Sequence, residues 1–184
     1  PSVAREIARI VGADKVQHGY LEGNGYLVTW ALGHLIGLAM PEEYGYENFR
    51  KENLPILPVE FILTPRQVKT GKSYEFDKGA LKQLSVIESV FNRCSHIIVA
   101  TDAGREGELI FRFIYNYLGC KKTFSRLWIS SLTYTAIKEG LISLKDGHHY
   151  DKLYQAAKAR SESDWLVGIN ATHAITVNAG SGLY

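Results

Sequence analysis

Within "IIVATDAGREGELIFRF", residues 97–113, the carboxylates Asp102, Glu106 and Glu108 fall inside seven residues, where a short apolar run gives way to a helical pattern. Asp102 follows "IIVAT", at the end of a predicted buried strand, where open parallel sheets place their ligands. Glu106 comes four residues later, in the first turn of the next helix, so the two side chains can converge. Two hard oxygen ligands in that position suit Mg2+, which keeps most of its waters and takes one or two carboxylates together with substrate phosphate. Glu108 is set apart: at ~100° per residue it stands about 200° round the helix from Glu106. It also precedes Arg112 by four residues, the favourable order for an ion pair along one helix face. The plain alternative for these acids is favourable charge at the positive end of the helix dipole. Gly104 lies between Asp102 and Glu106, where a third ligand would complete the set, and a glycine there would let a ligand approach the backbone closely.

These residues need a scaffold, and the flanking pattern supplies one. Ser2 caps a predicted helix to Val11, with Val3, Ile7, Ile10 and Val11 on one face and Gly12 at its end. "YLEGNGYLVTWALGHLIGLA" predicts two short strands about the turn Gly23-Asn24-Gly25 and a backbone break at Gly33. Residues 41–78, punctuated by Pro41, Pro55, Pro58 and Pro65, read as irregular. "GALKQLSVIESVFNRC" carries helical periodicity through Leu81, Leu84, Ile87, Val90 and Phe91. "HIIVAT" reads as a parallel strand buried on both faces, followed by a helix to Leu118, a strand at "RLWIS" and a helix over 133–144. The alternation points to an α/β fold with a short, mostly parallel sheet between helices. From Lys152 to Val177 the pattern is one long helix, so residues 1–145 read as one domain and 146–184 as the start of an all-helical one.

Composition narrows the classes. With 21 basic against 19 acidic residues, bulk charge neither demands nor excludes a polyanion, so any nucleic-acid site must be a local patch. Cys94 and Cys120 are too few and too far apart for a zinc site or a disulfide scaffold and read as reduced cytosolic thiols. No apolar run approaches the ~20 residues a membrane span requires, and the opening helix has the interspersed charge that a signal peptide lacks.

"ATDAGREGELI" resembles the Toprim signature of the type IA DNA topoisomerases, an Asp-x-Asp-x-Glu run followed by Gly-Glu that holds Mg2+. The resemblance continues in order through "PSVAREIA", "VTWALGHL", "NLPILP", "KQLSVIESV" and "WISSLTYTAI" to "AKARSESDWLVGINATHAIT", and is strongest toward the topoisomerase III branch. It implies a Toprim domain followed by the first long helix of a DNA-gripping domain. The implied activity is cleavage and resealing of one DNA strand through a tyrosine, with passage of another strand between. It further implies a bacterial, cytoplasmic monomer working on a single-stranded segment. Asp102 and Glu106 match the metal-site acids, Gly104 stands where the second Asp usually stands, and Glu108 matches the family's last acid. The family's Glu-Lys before Pro-Ser is not among these residues, and none of the eleven tyrosines stands in a Tyr-x-Arg-Thr-Asp run. The resemblance therefore implies an amino-terminal piece that does not cleave DNA alone.

The same resemblance assigns DNA contacts to Phe49, Arg160, Asp164, Trp165 and His173. Arg160 would meet a phosphate with Asp164 orienting it, Trp165 would offer a platform to a base, and His173 stands where relatives often carry Arg. Each has a structural alternative: an i,i+4 ion pair for Arg160 and Asp164, and core packing for Trp165 and Phe49. His34, after Gly33, could face the metal cleft or serve the scaffold. Arg66, Lys69 and Lys72 could form a solvated loop or an electrostatic edge for DNA. Two other functions remain open at this level: another Toprim enzyme, a primase or nuclease, and a metal-free DNA-binding module whose acids only cap a helix.

Overall fold

A computed structural model gives the architecture and describes residues 2–48, 50–71 and 73–179. Helix α1 (Ser2–Val11) leads into β1 (Lys15–Val16), β2 (Tyr20–Gly23) and β3 (Tyr26–Thr29), an antiparallel sheet in the order β1-β2-β3. Asn24 and Gly25, both at positive φ, make the two-residue turn between β2 and β3, as expected for a hairpin with right-handed strand twist. Next come β4 (Ile36–Leu38), β5 (Leu63–Pro65), β6 (Gln67–Thr70) and β7 (Ser73–Phe76). β4 pairs with β5 and β6 with β7, both antiparallel, so the proline-punctuated segment read as irregular holds three strands. Its prolines sit in the linking stretches or, like Pro65, at a strand end, where a missing N–H costs little.

Helix α2 (Lys78–Arg93) starts at Asp77, whose side chain accepts from the N–H groups of Gly79 and Ala80. The central sheet follows: β8 (Ile97–Val99), helix α3 (Arg105–Tyr117), β9 (Phe124–Arg126), helix α4 (Tyr134–Ile142) and β10 (Lys145–Asp146), ordered β10-β9-β8. Among the described residues β8 and β9 form the parallel pair, while β10 lies antiparallel on β9. The second strand expected at "RLWIS" begins two residues earlier and ends at Arg126; only the Leu127 N–H continues the ladder, to Val99 O at 2.9 Å. Helix α5 (Asp151–Ala179) packs along α3.

Alternation along β8 builds three layers. Ile97 and Val99 join Phe124 and the apolar faces of α2, α3 and the start of α5 in one core. Ile98 and Ala100 turn the other way, onto a core of α1, Leu127 and Ile137. The hairpin sheet is not paired with the central one, and an apolar groove of about 710 Å³ lies between β3 and β8 and reaches Asp102. Among the described residues no helix is long and apolar enough to cross a membrane.

Candidate metal and nucleic-acid site

β8 ends just before the acidic turn, and three interactions shape that turn. Thr101 Oγ1 donates to Gly107 O at 2.7 Å, tying the turn to the first turn of α3. Gly107 is needed for the approach, since a Cβ there would stand 2.0 Å from the Asp102 carbonyl oxygen. The third is Arg126, fully buried on β9, whose Nη1 donates to Thr101 O and Nη2 to Asp102 O, each at 2.7 Å. Gly104 has extended backbone at φ 168°, and a Cβ there would meet nothing within 4 Å. Neither strain nor close packing demands glycine at that position, so an Asp would fit.

Asp102 and Glu106 are both exposed on this turn. Among the described residues the Asp102 carboxylate makes no hydrogen bond or ion pair. Glu106, with 70% of its side chain exposed, meets the imidazole of His34 through Oε1 and Nε2. His34 thus reaches the acidic turn at Glu106. Arg66 holds its loop: Nη1 donates to Leu32 O at 3.2 Å and His34 O at 3.3 Å, while Nε donates to Asp77 at 3.0 Å. That bond and the capped N–H groups hold the Asp77 carboxyl below its ordinary range. Arg66 is therefore spent on the scaffold and adds no free charge to a DNA edge; Lys69 remains exposed, and Lys72 lies outside the described residues.

Glu108 takes the ion-pair alternative. It is 0% exposed, with Oε1 accepting from Arg112 Nε at 2.9 Å and Oε2 from Arg126 Nε at 3.0 Å. Both oxygens are engaged inside the core, which sets Glu108 apart from the exposed carboxylates of Asp102 and Glu106. Arg112 continues the network through Nη2, donating to Gly147 O at 3.0 Å and Asp151 Oδ1 at 2.7 Å. Burial lowers the Arg126 pKa from its ordinary value, and the Glu108 carboxylate opposes that fall. Trp128 lies 5.1 Å from the Arg126 guanidinium and stacks on Tyr150 at 4.4 Å.

No group of three or more His, Cys, Asp or Glu gathers in metal-holding geometry among the described residues. The donor set is therefore two exposed carboxylates, one of them against an imidazole. Such a pair fits a hydrated hard cation that fills its other positions with water and phosphate. It does not fit a closed structural zinc site, which needs four protein ligands. The first turn of α3 carries no side-chain cap and leaves N–H groups open to an anion.

The residues expected to touch DNA are divided by burial. On α5, Arg160 and Asp164 form an exposed pair, Nε to Oδ2 at 3.6 Å, with side chains 69% and 72% accessible. Trp165 is half-buried, donates Nε1–H to Ala39 O at 2.9 Å, and meets Tyr44 and Phe61 edge-on at 5.8 and 5.4 Å. Its ring fastens the segment after β4 to α5. His173, expected to donate to a phosphate, is 2% exposed and buried on α5. Asn170, which the sequence did not single out, bonds both N–H and C=O of Ile56, at 2.7 and 2.9 Å. Phe49 lies outside the described residues.

Comparison with known proteins adds to this geometry. Residues 1–132 match the family model of the Toprim domain. Over its whole length the chain is 48% identical to DNA topoisomerase 3 of Shouchella clausii (strain KSM-K16). It is 50% identical to that of Bacillus cereus (strain ATCC 10987) and 47% identical to that of Bacillus subtilis (strain 168). The chain spans 24% of the length of each of these relatives.

Proposed function

The chain belongs to the Toprim family, and from that membership we propose that its residues form part of a type IA DNA topoisomerase III. That enzyme relaxes or decatenates DNA through a transient break in one strand. In this reading residues 1–145 are the Toprim unit and 146–184 begin the helical domain that grips DNA. The nucleophilic tyrosine lies outside these residues, which do not cleave DNA by themselves. The protein works as a monomer on a single-stranded segment, in a bacterial cytoplasm.

The observation that carries the reading is the exposure of Asp102 and Glu106 on a turn whose backbone is clamped from inside. Asp102 and Glu106 would hold Mg2+. Bound there, the ion would neutralise phosphodiester charge while the strand is cut and rejoined. The chain's own groups do the rest. His34 orients the Glu106 carboxylate, and the open N–H groups of the first turn of α3 can receive a phosphate oxygen. Arg160, exposed on α5, meets the strand's backbone, with Asp164 holding its guanidinium. Trp165 and Asn170 keep the loops after β4 seated on α5 beneath that strand.

Fluorescence anisotropy with a labelled single-stranded oligonucleotide, across a range of salt, tests this. Arg160→Ala is expected to weaken binding at every sequence and to flatten the plot of log affinity against log salt by ~0.7, one phosphate contact. An unchanged slope returns Arg160 to a surface ion pair and removes α5 from the DNA path.

A further inference from the structure

Arg126 is an arginine with nothing of it exposed, placed in the strand beside β8. All three of its nitrogens donate. Nε serves Glu108 at 3.0 Å, while Nη1 serves Val99 O at 3.1 Å, Thr101 O at 2.7 Å and Leu127 O at 3.2 Å. Nη2 serves Asp102 O at 2.7 Å. The β8–β9 ladder runs out at Val99, so the carbonyls of Thr101 and Asp102 have no strand partner to take them. A buried carbonyl without a donor is costly, and a planar fork can satisfy several at fixed angles where an ammonium cannot. Glu108 neutralises the fork, and Arg112 and Asp151 carry the charge pairing on to the start of α5.

We propose that Arg126 is a positioning residue for the divalent-cation site: by gripping the carbonyls of Thr101 and Asp102 it fixes the direction in which the Asp102 carboxylate leaves the turn. The inference rests on the metal reading above and adds to it a residue that touches neither metal nor DNA. Groups one layer behind a ligand characteristically change metal affinity by about 10- to 100-fold. A role confined to stability would lower the melting temperature and leave the affinity of the folded protein alone.

Mn2+ titration followed by electron paramagnetic resonance, with thermal melting alongside, separates these. The proteins compared are the unaltered chain, Asp102→Asn, Arg126→Lys and the double variant. Arg126→Lys keeps the charge beside Glu108 but loses the fork. It is expected to weaken the Asp102-dependent Mn2+ site by about 10-fold or more, with no further loss in the Asp102→Asn background. Unchanged Mn2+ affinity in Arg126→Lys overturns the inference and leaves the metal reading intact. If Arg126→Lys shows no cooperative melt, the pair Glu108→Gln/Arg126→Gln removes both charges together and is read by the same two outcomes. Mn2+ binding equal in the unaltered chain and Asp102→Asn overturns the metal reading, and this inference with it.

Discussion

Glu106 and Glu108 are two residues apart and lead opposite lives. One points to solvent against His34, and the other is sealed between two guanidinium groups. Helix geometry separates them, and the sequence carries that separation openly, as it carries the i,i+4 spacing of Glu108 and Arg112. It does not carry Arg126, whose contact with Glu108 crosses from α3 to β9 and leaves no periodic trace. The one local hint is a charged residue in the apolar run "FSRLWI". Removing one member of a buried pair leaves the other charge unpaired, so Glu108→Ala is expected to cost ~3–5 kcal/mol in urea denaturation. Glu106→Gln, at an exposed position, should stay within ~0.5 kcal/mol. Equal effects of the two substitutions would contradict the division of roles.

At the scale of elements, the helices and β8 follow from periodicity and capping, and each lies within a few residues of its expected span. The strand after α3 was displaced because "RLWIS" is the more apolar run, whereas pairing with β8 selects Phe124–Arg126. Strands β5 to β7 leave little trace in the sequence because hairpin pairing, not alternation, organises a segment broken by prolines. The junction of α5 with the sheet has its own consequence. Burial pushes the Asp151 carboxyl up, but hydrogen bonds from Arg112 and His148 more than offset that and leave it below its ordinary value. A carboxylate depressed in the folded state contributes stability above its unfolded pKa, ~3.9, and loses it as pH falls through the folded value. Urea midpoints measured downward from about pH 5 should therefore fall less steeply in Asp151→Asn than in the unaltered chain. Parallel curves would show that the Asp151 pairing adds nothing to the seating of α5.

Taken whole, the molecule is a three-layer α/β unit whose central sheet carries the acidic turn and whose long last helix leaves Arg160 exposed. Its α/β class and the placement of Asp102 at a strand end were legible from the sequence, since both follow from local pattern. The choice between an open and a packed Trp165 was not, because it depends on Ala39, Tyr44 and Phe61, far away in the chain, folding back onto α5. Most rests on the divalent cation proposed at Asp102 and Glu106. The direct measurement is the amide spectrum of the isotopically labelled chain during addition of substoichiometric Mn2+, which broadens signals near wherever it binds. Broadening is expected to centre on residues 102–107 and His34 and to be abolished in Asp102→Asn. Broadening centred elsewhere, or unchanged by that substitution, would contradict that proposal.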